Sequence, residues 1–590
     1  MLKFVICAAA VAFSLVAVAA EPSAAAKAVE SEGRIVADFT LRDVRGKDYS
    51  LADFKDRPVI VLAFLGTQCP LAGQYAPRLG QLEERFSKQG VALLGIASNQ
   101  QDSFTRLAEF AKTHEINFPL LKDTGNVVAD QVGAERTPEV FVLDQERRVR
   151  YRGRIDDQFV VGRQRSKATR EDLIEAIAEV LAGREVTQPV TDAQGCRIGR
   201  VQKPRSNAAV TYSEQVAAVF NRRCVECHRT GEIAPFPLTN YAEVVGWAET
   251  IAEVVNAGSM PPWHANPEYG HFANDRRLSD ADRKLINDWV EAGAPEGDPK
   301  QLPPTPQFAD GWRLPRLDLE VFMPVAYDVP AEGTVNYQYF TVDPGFTEDK
   351  WVQGAQCRPG NPAVVHHIIA GIRPPRGRTK RRTEVGPSEW LTATAPGAAP
   401  LLLADGMAKL IPAGSKLVFQ MHYTPNGRKQ SDRSSVGLMF ADPARVRKEV
   451  ATIAVENHFL MIPPQRNDYR AEAWHKFDRD TVLLALFPHM HLRGKAFRYE
   501  LRMPGGQSEV LLDVPRYDFA WQSTYVLEKP RLIPKGAEMH CVAHYDNSPE
   551  NIANPNPNRV VTWGDQTWDE MMIGYFDATT PDEDGVAAND

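Results

Sequence analysis

The hydrophobic pattern of this chain passes through three regimes. From about residue 33 to 200, short apolar runs alternate with amphipathic stretches. Val59-Ile60-Val61-Leu62-Ala63-Phe64 reads as a strand buried on both faces, a helical segment starts at Pro70, and Val91-Ala92-Leu93-Leu94-Gly95-Ile96 reads as a second buried strand. Such alternation predicts an α/β layer domain. After a Pro- and Ser-containing linker, Lys203 to Asn207, the period lengthens to that of helices, as in Asp280 to Ala292 with Ile286, Trp289 and Val290 on one face. Pro303, Pro304 and Pro306 mark a second linker, and from about 316 onward short strands alternate with Pro and Gly turns, the pattern of β-sandwiches.

The last region contains a duplication. Leu410-Ile411-Pro412-Ala413-Gly414 is echoed by Leu532-Ile533-Pro534-Lys535-Gly536, an offset of 122 that also carries His422-Tyr423 onto His544-Tyr545 and His367 onto His489. A period this long suits a duplicated domain rather than a solenoid. It predicts two tandem sandwiches that present histidines from the same strands. The expected boundaries are a leader at 1–20, an α/β domain at 33–200, a helical domain at 208–300, and sandwiches at 316–450 and 451–582.

Charge and composition narrow the classes. A net charge of −8 over 590 residues leaves no basic stripe for phosphates, which argues against a nucleic-acid partner. The basic run Arg376 to Arg382 reads as a solvated loop. Lys3, the apolar stretch after it and Ala17-Val18-Ala19 form a secretory leader, and no later stretch reaches the ~20 apolar residues of a membrane span. A periplasmic or secreted protein follows. Of seven cysteines, Cys7 leaves with the leader.

Candidate chemistry concentrates in histidines. His366-His367, His422 and His489-Met490-His491 are followed by Met571. Imidazole serves both copper oxidation states, and thioether sulfur favours Cu(I). On a strand, His489 and His491 would point to one face, whereas His366 and His367 would point to opposite faces unless the strand bulges or ends there. His544 is the repeat's equivalent of His422 and a further candidate, while His458, His475 and His540 have no motif support.

Over residues 316–580 these motifs resemble the copper type II, ascorbate-dependent monooxygenases that hydroxylate peptidylglycine and dopamine. The resemblance rests on the His366-His367 pair, Gln420-Met421-His422-Tyr423, His489-Met490-His491-Leu492 and Asp569-Glu570-Met571, in this order. It implies two copper ions, one held by His366, His367 and His422, the other by His489, His491 and Met571. It also implies that the methionine-bearing centre is catalytic and the other stores an electron. Phe487 stands where the peptide-amidating enzymes carry a substrate-anchoring arginine, although Tyr575 matches a tyrosine of their pattern. Met572 replaces a cysteine of the family, which leaves Cys541 free or paired with Cys357.

Cys224-Val225-Glu226-Cys227-His228 is the c-type haem attachment motif, with two thioether cysteines and a proximal histidine. Met260, in Gly258-Ser259-Met260-Pro261-Pro262-Trp263, is the predicted distal ligand, with His264 and His271 as alternatives. The segment is similar to class I cytochrome c modules. A redox disulfide is the competing reading. A zinc site lacks a second cysteine pair to complete four ligands.

Residues 33–200 resemble the redoxin branch of the thioredoxin superfamily, near the peroxiredoxins. Gly66-Thr67-Gln68-Cys69-Pro70 sits between strand and helix, and Thr137-Pro138-Glu139-Val140 falls where that fold places a cis-proline facing the cysteine. Ala72 stands where thioredoxins carry their second cysteine, and Gly66 where peroxiredoxins carry a threonine. Cys196 is then a distant resolving thiol or the partner of Cys69 in a structural disulfide.

The sequence therefore predicts a multidomain chain: a thioredoxin-like α/β domain, a mostly helical cytochrome c domain, and two antiparallel β-sandwich (jelly-roll) copper domains. The function expected is an exported copper monooxygenase that hydroxylates a C–H bond of a small molecule or peptide with O₂. One haem c would relay electrons to it from an outside donor. The alternatives are a thiol peroxidase or disulfide reductase centred on Cys69, and a copper-binding redox protein without catalysis.

Overall fold

The computed structural model describes residues 33–165, 167–308, 311–376, 389–395 and 398–581. The predicted leader and most of the basic run lie outside the described residues.

The amino-terminal domain is built on a seven-stranded sheet. Val59–Phe64 and Val91–Ala97 lie parallel at its centre, flanked by Leu120–Lys122 on one side and by antiparallel Glu139–Leu143 on the other. Every residue of the two central strands is buried, which is why they read as unbroken apolar runs. Cys69 occupies the N-cap of the helix Pro70–Phe86, and Pro70 at the first helical position loses no hydrogen bond there.

A helical region follows. Tyr212–Val216 runs into Ala217–Arg223, and Ala248–Asn256 packs near Asp280–Glu291. Ile286 and Trp289 of the last helix are fully buried, and the Trp289 indole donates to the Pro295 carbonyl at 3.0 Å.

The remainder is β-structure in two similar halves. In the first, one sheet holds Leu319–Phe322, Ser435–Phe440, Lys350–Arg358 and Met407–Ile411 in that order, and the other Gln338–Val342, Lys416–Tyr423, Val365–Arg373 and Glu389–Thr394. In the second half, one sheet runs Ala451–Glu456, Ile573–Thr579, Thr481–His489, Tyr525–Ile533, and the other Tyr469–Lys476, Glu538–Tyr545, Gly494–Arg502, Ser508–Val514. The chain threads both pairs of sheets identically. Each half buries one core drawn from both of its sheets.

This topology corrects one sequence expectation. Lys416–Tyr423 and Glu538–Tyr545 do occupy equivalent places, but Val365–Arg373 corresponds to Gly494–Arg502 and Lys350–Arg358 to Thr481–His489. His367 therefore starts the later strand of its pair, while His489 ends the earlier one. The shared offset of the two histidines reflects where two equivalent connections lie, not one strand position.

The modules are packed together by specific contacts. Trp263 and Phe272 of the helical region join the core of the second β-half, with Trp263 and Tyr525 ring centres 4.8 Å apart. Between the β-halves, the Lys409 ammonium is buried and donates to Asp577 at 3.2 Å and to Thr452 at 2.8 Å. Removing one member of a buried ion pair strands the other charge. Asp577→Ala is expected to destabilise the β-region by about 3–5 kcal/mol, read as a lowered denaturant midpoint, and Lys409→Met in the same chain to recover much of that loss.

Candidate functional site

Three donor sets open onto a single cavity of about 1280 Å³. Its walls include Cys69 and Cys196, then Cys224, Cys227, His228 and Met260, then His366 and His422. Separations in sequence of up to 353 residues, from Cys69 to His422, are closed by the packing of the modules.

The thiol set is formed by two short strands. Cys196–Arg197 pairs with Arg136–Thr137, placing Cys196 opposite Thr137. The Thr137–Pro138 peptide is cis, and the Cys69 thiol donates to the Thr137 carbonyl at 2.9 Å. Both cysteines are free, and the Cys196 thiol hydrogen-bonds Cys69. That bond holds Cys69 below an ordinary thiol against the opposing effect of burial, and drives Cys196 well above one. Of the pair, Cys69 is the thiol more readily deprotonated; while it keeps its proton it donates to the Thr137 carbonyl. The N-cap position adds the helix dipole in the same direction. Thr67, one residue later than the peroxiredoxin position, is engaged by Asp102 through both its hydroxyl and its amide.

The haem-motif cysteines behave differently. Burial pushes Cys224 up to about 12 and raises Cys227 as well, so they are not an activated thiol pair. The motif extends the helix Ala217–Arg223 by a turn, with the amides of Cys227 and His228 bonded to the Cys224 carbonyl. His228 Nδ1 lies 3.0 Å from the Phe236 carbonyl, which fixes the ring and leaves Nε2 for a ligand. Both cysteines, His228 and Met260 line the cavity, so these residues fit a c-type haem. His264 and His271, the alternatives to Met260, are not among its walls.

The first histidine group lies on Val365–Arg373 and Lys416–Tyr423. A bulge between Val365 and His367 breaks the register, and this is what turns two adjacent imidazoles toward one point. One ring nitrogen from each of His366, His367 and His422 falls within 4.8 Å of the others. His366 Nδ1 and His367 Nδ1 are 3.2 Å apart. Two nitrogens bound tetrahedrally to one ion at ~2.0 Å would stand about 3.3 Å apart. His422 Nδ1 is buried with no hydrogen-bond partner, which a metal would supply.

The second group departs from the expected strand geometry. The strand ends at His489, so His491 is placed by the turn that follows and not by strand alternation. The two rings still come within 5.2 Å, centre to centre. His489 Nδ1 is held by Gln522 at 2.7 Å and His491 Nδ1 by the Asp569 carbonyl at 3.3 Å. His491 Nε2 is buried without a partner. Glu570, fully buried and raised to about 7 by desolvation, accepts from the amides of His491 at 2.8 Å, Arg493 at 2.6 Å and Met571 at 3.3 Å, and Tyr545 donates to the Met571 carbonyl at 2.8 Å. The backbone of Met571 is thereby tied to that of His491.

Burial keeps all five imidazoles neutral: His366 and His489 are lowered to about 4, and His367, His422 and His491 well below the ordinary value. A neutral imidazole is the ligand form. His544 is not part of either group, since its Nδ1 pairs with Asp468 at 2.9 Å. His540 is buried under Trp474 and paired with Glu472 and Glu500. Cys357 and Cys541 are free and sit in separate cores, so they do not bridge.

Two aromatic residues that no motif marked stand between the groups. The Tyr337 ring lies 5.1 Å from His422 and 6.3 Å from His491, and Phe519 lies 5.3 Å from His366 and 6.0 Å from His491. Gln522 was equally invisible in the sequence, because its role depends on a long connection folding back.

Comparison with known proteins places the amino-terminal part. A family model described as the AhpC/TSA family matches residues 33–152. The chain is 34% identical over 128 residues to peroxiredoxin Q, chloroplastic, of Oryza sativa subsp. japonica, covering 20% of this chain and 58% of that protein. It is 32% identical over 119 residues to the thiol-disulfide oxidoreductase ResA of Bacillus subtilis (strain 168), covering 20% of this chain and 65% of that protein. A crystal structure of a hypothetical protein from Sinorhizobium meliloti 1021 is 32% identical and covers 29% of this chain and 94% of that one, with a TM-score of 0.27. The chain thus spans 58 to 65% of the length of these curated relatives. The amino-terminal part is a redoxin-type, thioredoxin-like domain, followed by a mostly β carboxy-terminal region.

Because thiolate is the reactive form and Cys69 is lowered, alkylation of Cys69 should rise with pH at values below the ordinary thiol midpoint of about 8.5. In Cys196→Ala the midpoint should move toward the ordinary thiol value of about 8.5. Iodoacetamide labelling followed by peptide mass spectrometry checks this.

Proposed function

We propose that the chain is an exported oxidoreductase with three redox centres: a thiol–disulfide centre at Cys69 and Cys196, a haem c on Cys224, Cys227 and His228 with Met260 distal, and two copper ions. His366, His367 and His422 would hold one copper, and His489, His491 and Met571 the other. The thiol–disulfide part has the support of the family match over residues 33–152. The copper part is carried by one observation, the convergence on a point of three neutral imidazoles, two buried and one half-buried. Copper bound to such sites supplies one-electron chemistry with O₂, and C–H hydroxylation of an exported small molecule or peptide is the reaction this reading assigns.

The residues would contribute as follows. Gln522 and the Asp569 carbonyl orient the His489 and His491 rings, each presenting Nε2. Glu570 fixes the segment that carries Met571 relative to His491. Tyr337 and Phe519 separate the two imidazole groups by one layer of rings. At the thiol centre, the Cys69 thiolate attacks a disulfide and releases one sulfur as thiolate. Cys196 then loses its proton, attacks Cys69 and releases the second, leaving Cys69–Cys196 oxidised. Disulfide exchange is favoured over peroxide reduction because Thr67 is committed to Asp102 and does not serve Cys69.

Metal analysis with an optical haem spectrum tests the assignment on the full chain. Two coppers and one haem are expected. His422→Ala should lose one copper and cut O₂-dependent turnover by at least roughly 100-fold, the upper end of what loss of a mere orienting partner costs. A chain that binds no copper contradicts the copper reading. Turnover of a disulfide substrate lost in Cys69→Ser and untouched by copper chelation would leave the thiol reading alone.

A further inference from the structure

The sequence leaves open what feeds the haem. We propose that the donor is inside the chain: the Cys69–Cys196 dithiol passes its electrons across the shared cavity to the haem on Cys224, Cys227 and His228. This rests on the haem reading given above.

Position carries the argument. Cys69 is only 2% exposed, and the cavity it lines is the one lined by Cys224, Cys227 and His228. Cys196 packs against the core of the amino-terminal domain and also against the core of the helical region, where Cys224 packs as well. The resolving thiol therefore sits on the seam between the two modules. That seam is fixed. The Arg197 amide donates to Thr250 at 3.1 Å, and Arg197 and Arg136 grip Glu253 at 2.5 and 2.9 Å, so the strand carrying Cys196 is clamped to the helix Ala248–Asn256. Gly199 and Gly246 approach so closely that a Cβ on Gly199 would lie 2.4 Å from the Gly246 carbonyl oxygen. Cys69 is buried and Cys196 half-buried in the cavity wall, which favours small partners and the neighbouring centre over large outside substrates.

The step balances. Cys69 and Cys196 lose two protons and two electrons as one S–S bond forms. The first electron leaves a disulfide radical anion and the second completes the S–S bond, so two ferric equivalents are reduced in turn, and each electron would pass on to one of the two copper ions before the next is taken. The protons leave through the cavity, and a small external dithiol able to enter that cavity returns the disulfide to the dithiol. The direction is downhill, because dithiols of this fold have low potentials and a methionine ligand raises that of a haem. Two electrons per disulfide also match the two that hydroxylation with O₂ consumes.

The test uses the full chain, oxidised and anaerobic, mixed with limiting dithiothreitol. The ferrous haem α-band is followed by stopped flow, and the Cys69–Cys196 disulfide is counted by alkylation and mass spectrometry. Wild type should reduce its haem while the disulfide reappears in step. Cys196→Ser and Cys69→Ser should each slow haem reduction roughly ten-fold or more, given how strongly thiol–disulfide exchange depends on the attacking pair. Dithionite should give the full α-band in all three proteins, showing that the variants fold and hold haem. Equal rates in wild type and variants, with that band intact, would overturn the relay and leave the haem reading standing. No α-band even with dithionite would remove the haem reading and the relay with it.

Discussion

Five imidazoles, three buried and two half-buried, cluster in this protein with no carboxylate hydrogen-bonded to any of their ring nitrogens, among the described residues. Gln522 and a backbone carbonyl hold one nitrogen each on His489 and His491, and a neighbouring imidazole holds those of His366 and His367. Burial, opposed by the charge of Asp518 at His366 alone, keeps the rings neutral and leaves nitrogens such as His422 Nδ1 and His491 Nε2 unsatisfied. An orphaned buried acceptor costs free energy that a bound cation would recover. The arrangement of the carboxy-terminal half makes sense around that demand: the bulge at His366, the turn after His489 and the Glu570 clamp all serve to bring those nitrogens together.

The duplicated β-architecture gives the demand its geometry. Both histidine pairs lie near the connection between equivalent strands, one pair just after it and the other at its start. The two groups face each other across Tyr337 and Phe519. The helical region is anchored to the second β-half through Trp263 and Phe272 and to the amino-terminal domain through Glu253. Those contacts are what allow a thiol pair, a haem motif and a histidine cluster to share walls.

Much of this was legible in the sequence, and the reasons are physical. Val59–Phe64 and Val91–Ala97 announce themselves because strands buried on both faces are continuously apolar. The Cys-x-x-Cys-His motif is local, so its spacing alone carries it. The link between Cys69 and Cys196 was visible only as an option, since it depends on a two-residue strand pairing far along the chain. The strand-level equivalence inferred from the offset of His367 and His489 failed because a repeat offset counts residues, whereas topology counts strands. His544 shows the same limit: its strand is equivalent to that of His422, but a nearby Asp468 takes its ring. Tyr337, Phe519 and Gln522 left no mark because isolated aromatic and amide residues carry no spacing signal.

X-ray absorption at the copper edge of the metal-loaded chain tests the central claim most directly. The account predicts two coppers per chain with nitrogen donors throughout and a single sulfur shell that disappears in Met571→Leu. A chain that takes up no copper, or one whose copper shows no sulfur and is unchanged by that substitution, would contradict it.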